Sequence, residues 1–244
     1  MNAPLPVLPD YYRDETRRRK FVRSIFDRTA AHYDRVERLL ALGSGSWYRR
    51  QALERAGLRR GMSVLDVAAG TGLTARQAAI LTGGPDHVVG LDPSREMLRH
   101  ARQTLAMGAL QALGERIPCR ADLFDFLSMG YALRHLSDLS VVFSEFFRVL
   151  KPGGRICLLE ITRPQRRFTQ SLLKLYMKQL VPLAARLMTR QPDTALLMRF
   201  YWDTIEACVA PGRVLDALAG VGFERVNRHI ELGIFSEYTA RKPA

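Results

Sequence analysis

Apolar positions along the chain change their period twice. Phe21, Ile25, Phe26, Ala30 and Tyr33 recur at three- and four-residue steps, the stripe of an amphipathic helix, and the pattern breaks near Gly43. WYRRQALERAG then predicts a second helix, closed by Gly57 where left-handed backbone caps a helix. From Ser63 the period shifts to short apolar runs separated by helical stripes. A strand at VLDV is followed by a helix over 73–81, strand HVVGLD and a helix over 94–107. A short strand over 109–112 comes next, then strand FDFLSMG, a helix over 139–150, the turn KPGG and strand RICLLEI. Strand and helix in regular turn imply right-handed crossovers and a mostly parallel sheet covered on both faces, the doubly wound α/β class. From Thr162 to Cys208 that rhythm yields to a helical insertion rich in leucine and methionine. Pro211 opens a further helix that Gly220 and Gly222 end, and FERVNRHIEL with IFSEYTARK predicts a terminal antiparallel hairpin.

The 244 residues suit one domain with attachments. The organisation expected is a helical arm over 1–60, a core over 61–162, a lid over 163–208, and a final helix and hairpin over 209–244. Cys119, Cys157 and Cys208 are too widely spaced for a disulfide framework or a CxxC metal site, and no secretory signal or spanning segment is visible, so a cytoplasmic protein is expected. The net charge of +13 would suggest nucleic acid until it is located: residues 1–60 carry +7, residues 161–199 carry +7, and the remainder is close to neutral. The excess therefore belongs to the arm and the lid, which favours a basic mouth or face.

The stretch VLDVAAGTG, Val64 to Gly72, runs an apolar strand into a glycine turn. Gly70 and Gly72 let backbone approach a ligand, and the following helix points free N–H groups at it. Asp92, 20 residues beyond Gly72 at the end of the second strand, is placed to take two ribose hydroxyls. An NAD enzyme would meet the same description. Asp66 tips the balance, because a carboxylate just before the turn suits a sulfonium and an amino group better than a pyrophosphate.

VLDVAAGTG, GLDPSREML, GERIPC, FDFLSMGYALRHLSD and FRVLKPGGRICLLEITRP resemble, in order and spacing, the class I S-adenosylmethionine-dependent methyltransferases, and most of all the C-methyltransferases of ubiquinone and menaquinone biosynthesis. IFDRTAAHYD is similar to that family's N-terminal segment. The resemblance implies a seven-stranded Rossmann-like sheet and S-adenosylmethionine as cofactor. It implies that Gly70, Thr71 and Gly72 hold the methionine part together with Asp66 and Ala68, that Asp92 holds the ribose, and that Pro93 and Met97 border the adenine. Tyr33 would close the methionine end, Ser128 and Met129 would line the far side, and Leu113, Gly114 and Glu115 occupy the adenine-contact step. Departures accompany the likeness. Leu113 and Gly114 stand where the family usually has an acidic residue and alanine, Leu73 replaces a frequent Asp, and Leu133, Arg134, His135 replace Leu-Arg-Asn.

A sulfonium methyl is already activated, so no metal is expected and the remaining chemistry concerns the acceptor. His135, at the strand-end mouth with an ordinary pKa near neutrality, is the candidate base for an acceptor hydroxyl, and Arg134 the candidate partner of the resulting phenolate. Tyr131, Tyr201 and Trp202 are the candidate acceptor-pocket residues. The lid stretch SLLKLYMKQLVPLAARLMTR, with Lys174, Lys178, Arg186 and Arg190 among its apolar residues, reads either as a lid or as a membrane-surface helix kinked by Pro182. The expected reaction is methyl transfer to a small, largely apolar phenolic, quinol or specialised-metabolite acceptor at carbon, oxygen or nitrogen, the departures favouring the specialised metabolite. A homodimer is compatible. Nucleic-acid methylation is the competing reading, weakened because FDFLSMGYAL lacks the Pro-Pro step expected for base amines, and a non-catalytic ligand- or partner-binding protein is the third.

Overall fold

A computed structural model describes residues 3–164 and 166–244. Two helices lead, α1 (Glu15–Leu40) and α2 (Gly45–Arg55). The alternating part follows as β1 (Val64–Val67), α3 (Leu73–Thr82), β2 (Val88–Asp92), α4 (Arg95–Thr104), β3 (Gly108–Gln111), β4 (Phe124–Gly130), α5 (Leu139–Val149) and β5 (Leu150–Ile161). The insertion contributes α6 (Arg167–Leu175), a π-helical turn over Tyr176–Leu180, α7 (Val181–Thr189) and α8 (Pro192–Ala207); α9 (Pro211–Val221), β6 (Glu224–Glu231) and β7 (Phe235–Arg241) finish the chain. The seven strands lie in the order β3-β2-β1-β4-β5-β7-β6, with only β7 and its partner β6 departing from the parallel arrangement by antiparallel pairing.

Strand β1 is an interior strand, between β2 and β4, and is buried at all four residues, as a largely apolar run flanked on both sides by parallel neighbours must be. One face of the sheet packs on α5 and α9 through Phe143, Phe146, Val214 and Leu218; the other packs on α2 and α3 through Leu53, Ala75 and Ala78. A third cluster joins the arm to the insertion, with Ile25 and Val36 of α1 against Val181 of α7 and Phe200 and Trp202 of α8. Helix α1 and the insertion therefore form one cap, which closes on β5 at Ile161.

Four local differences from the sequence pattern have physical causes. KPGG bulges within β5 and does not precede it: Leu150 pairs with Phe124 and Arg155 with Phe126, and Gly153 takes a positive φ in between. Helix α4 stops three residues earlier than expected, because Met107 must lie flat over Gly90, where a Cβ would come within 2.6 Å of its Cε. Gly220 lies inside α9, and the helix ends at Gly222 alone (φ 107°). Pro182 does not break the insertion. It has no N–H for the carbonyl of Lys178, and the preceding turn widens to π geometry, with the N–H of Val181 reaching back to Tyr176. Among the described residues no helix is long and apolar enough to cross a membrane.

Candidate active site

Beyond Val67 the chain turns over the sheet edge through left-handed residues at Ala68 (φ 53°), Gly70 (φ 56°) and Gly72 (φ 84°) before α3 begins. A side chain on Gly70 would meet nothing within 4 Å, so the backbone there faces open space of the kind a ligand fills; one on Gly72 would press on Ala101 at 3.3 Å. The N–H of Gly70 donates to one carboxylate oxygen of Asp92 at 2.9 Å, and the N–H of Ser94 to the other at 2.8 Å. Ser94 also caps α4 by accepting from Met97.

Helix α1 is fastened across this edge at two points. Asp27 accepts from the Ser94 hydroxyl at 2.5 Å, and Asp34, seven residues later on the same helical face, accepts from the Thr71 hydroxyl and pairs with Arg76 at 3.0 Å. Beneath the helix lies a cleft in two communicating parts. The outer part, about 430 Å³, runs from Leu91 and Pro93 to Leu113, Gly114 and Glu115. The inner part, about 100 Å³, is bounded by Gly70, Asp92, Met97, Tyr33, Tyr131 and Tyr201. Ala68, Ala132 and His135 border both.

The cleft wall thus carries most of the residues expected from the sequence, and seven lie behind it. Asp66 is fully buried and accepts from Ser128 at 2.6 Å, so neither residue faces the cleft. Burial pushes Asp66 up to about 7, against the pull of the Ser128 hydroxyl, the Ala75 N–H and the Arg49 charge, so it is no fixed negative partner for a sulfonium. Met129 points into the α5 side of the core. Thr71 is turned to Asp34, and Gly72 to Ala101. Trp202, one helical step from Tyr201, points the other way into the cap and donates to Glu206.

Arg134 is the largest correction. It is wholly buried and ion-paired with Glu160, donates to Thr204 Oγ1 at 3.0 Å and to the Tyr131 carbonyl at 2.8 Å, and lies 4.3 Å from the centre of the Tyr201 ring. Its charge is already matched, and it positions Tyr131 and Tyr201 from behind. His135 does reach the cleft. Its ring stacks on Phe200 at 5.5 Å and meets the edge of Phe26 at 5.7 Å, and both ring nitrogens are closed to solvent and without a hydrogen-bond partner among the described residues. Burial, helped by Arg134 and Arg18, holds its pKa well below the usual value, so the imidazole is neutral throughout the physiological range. Burial likewise lifts Asp92 to about 6, opposed by its two backbone donors.

Sequence reasoning missed the contribution of α1 to the roof, where Val22, Arg23 and Phe26 lie over the inner part. The signal was present: Phe26 and Val22 stand seven and eleven residues before Tyr33, about two and three helical turns, at spacings that share its face.

A doubly wound sheet of this order, a glycine turn after its first strand and an acid closing the next strand define a class I S-adenosylmethionine-dependent methyltransferase, and the residues on the wall fit that donor. Open space lies at the Gly70 backbone, a carboxylate is fixed beside it, and an apolar slot extends outward. A model of the ubiE/COQ5 methyltransferase family matches residues 13–242, and the chain belongs to that family. The ubiquinone/menaquinone biosynthesis C-methyltransferase UbiE of Azotobacter vinelandii is 30% identical over 237 residues, 94% of this chain and 92% of that protein. UbiE of Geotalea daltonii is 29% identical over 229 residues, 91% of this chain and 96% of that protein. Among solved structures, a SAM-dependent methyltransferase from Thermotoga maritima shares the fold with a TM-score of 0.63 at 19% identity, over 90% of this chain and 99% of that one. The Haemonchus contortus phosphoethanolamine N-methyltransferase 2, solved with S-adenosyl-L-methionine, shares it with a TM-score of 0.58 at 16% identity, over 81% of this chain and 53% of that one.

Proposed function

We propose that the protein methylates a ring carbon of a quinol-type acceptor, and that His135 receives the acceptor's hydroxyl. The observation that carries this reading is the imidazole itself: two unpartnered nitrogens at the junction of the two cleft parts, between the rings of Phe26 and Phe200. A flat aromatic acceptor is matched by such walls, and an unpaired buried imidazole gains from a hydroxyl that both donates and accepts. The names of the curated relatives support carbon over oxygen or nitrogen as the methylated atom, and quinone biosynthesis over a specialised metabolite.

Bound S-adenosylmethionine supplies an electrophilic methyl group. Asp92 holds the ribose and the backbone at Gly70 and α3 the methionine end, while Leu113, Gly114 and Glu115 border the adenine. Tyr33, Tyr131 and Tyr201 narrow the inner part and keep water from the reacting atoms. As the acceptor's hydroxyl proton moves toward His135, electron density rises on the ring carbon, which would take the methyl group while the bonding pair stays on the donor's sulfur as a neutral thioether; the ring carbon then releases its own hydrogen as a proton. The depressed basicity of His135 means that it shares the hydroxyl proton in the transition state and does not retain it. A quinol with an apolar tail resides in a bilayer, so the same reading has the protein working at a membrane surface.

Labelled S-adenosylmethionine and a short-tailed demethylated quinol test the proposal. The label is expected on a ring carbon by mass spectrometry, and His135→Ala is expected to lower turnover about a hundredfold with the affinity for S-adenosylhomocysteine preserved. Label on oxygen, or wild-type turnover in the variant, would overturn it.

A further inference from the structure

The insertion carries an apolar stripe that no described residue covers. Phe168, Leu172 and Leu175 of α6 are exposed, as are Leu180 in the π turn and Leu183 and Leu187 of α7; Phe168 is 79% and Leu187 71% exposed. No residue of α6 is buried, and the helix run is held to the cap by its opposite side, through Met177, Val181 and Ala185.

The spacing of the stripe is informative. Its steps are 4, 3, 5, 3 and 4 residues. Steps of three and four stay on one face of an α-helix, whereas a step of five turns about 140° away. The five-residue step, Leu175 to Leu180, coincides with the π-helical turn over Tyr176–Leu180. A π turn takes one more residue to complete a circle, so it returns Leu180, Leu183 and Leu187 to the line begun by Phe168, Leu172 and Leu175. One irregular turn aligns two short helices into a single face.

Charge identifies what this face meets. Lys174 and Lys178 turn inward, to Glu206 at 2.9 Å and Asp203 at 3.0 Å, and so do not flank the stripe. Arg167 and Arg186 each precede a stripe residue by one position, about 100° around the helix on the same flank, and with Arg166 and Arg190 they form no ion pair among the described residues. Residues 161–192 contain no acidic side chain. A second copy related by a two-fold axis would bring the same cations and nothing to neutralise them. An anionic bilayer supplies both the apolar depth and the negative charge.

We infer that α6, the π turn and α7 form an interfacial docking surface that lays its leucine stripe into an anionic membrane, with the arginine flank at headgroup level. The inference gives the proposed apolar acceptor a route from bilayer to cleft, and it rests on that reading only for its purpose. It is tested without acceptor or turnover, so either can fail alone.

Sedimentation of the full chain with phosphatidylcholine vesicles, with and without phosphatidylglycerol, is the measurement. Binding is expected only with phosphatidylglycerol and is expected to fall at high salt. Arg167→Gln with Arg186→Gln should weaken it about thirtyfold, and Leu172→Glu with Leu183→Glu about a hundredfold or more. These side chains are exposed, so both variants should retain S-adenosylhomocysteine binding by calorimetry, which reports an intact fold. No binding to phosphatidylglycerol vesicles, undiminished binding by the variants, or a lipid-free dimer abolished by the leucine changes would each overturn the inference.

Discussion

The hydroxyls of Tyr33 and Tyr201 meet at 2.7 Å over the inner cleft, joining the N-terminal arm to the insertion above the strand ends. Neither residue belongs to the sheet, yet together they set the width of the space next to Asp92 and His135. Tyr33→Phe or Tyr201→Phe removes one buried hydrogen bond, at a cost of about 1 kcal/mol. Each is expected to lower turnover more than donor affinity, because the rings stay while the tie is lost. Steady-state kinetics beside S-adenosylhomocysteine calorimetry checks this.

At Gly70 stability and binding can be separated. A methyl group there clashes with no protein atom, and the positive φ costs alanine about 1–2 kcal/mol. Gly70→Ala should therefore fold, with a modest loss in urea titration, while donor affinity falls tenfold or more because the methyl group enters the ligand's space. Gly72→Ala should show the opposite balance, since its methyl group presses on Ala101 and not on the cleft.

Asp66 and Asp92, both raised by burial, carry opposite pH signatures, the first for folding and the second for binding. Between about pH 4, where the unfolded chain releases these protons, and about 7, folded Asp66 still holds its own, so its contribution to stability falls as pH rises through that window. His135, depressed by burial, works in the other direction: the unfolded chain takes up a proton below about 6.5 that the folded imidazole refuses. The test is accordingly a difference curve. Asp66→Asn should gain stability relative to wild type as pH rises from 4 to 7 in denaturation experiments. Donor affinity, which requires ionised Asp92, should weaken as pH falls below about 6, and turnover should show no separate inflection at the usual histidine value.

Arg134 and Glu160 form a fully buried pair. Arg134→Met strands the Glu160 carboxylate in the core and should cost about 3–5 kcal/mol, measured by chemical denaturation. Arg134→Met with Glu160→Leu removes both charges and should recover much of that loss. Activity is expected to stay low in the double variant, because Tyr131 and Tyr201 lose the side chain that holds them.

The alternation of strand and helix from Ser63 onward was readable because every run of apolar residues there is bounded by glycine, proline or a capping side chain. The wall of the cleft was readable wherever backbone defines it, as at Ala68, Gly70 and Asp92. Direction was not. In a strand buried on both faces, adjacent residues point to opposite sides, and the apolar run around Ser128 and Met129 does not say that one turns to Asp66 and the other to the core. On α8 the pair Tyr201 and Trp202 presents the same ambiguity at helical spacing. The Arg134–Glu160 pairing joins two elements distant in sequence, and only the fold brings its members together. The π turn left a single trace, the five-residue step from Leu175 to Leu180.

The cap, residues 1–40 with residues 161–207, carries +8 of the net +13, above residues 61–160, whose charges cancel. Because these two segments pack against each other as one cap, the molecule is electrically lopsided, and a distant sheet of negative charge exerts a torque on it. Facing such a charge, a molecule of this kind would turn cap first, and ionic strength would set how far away that turning begins.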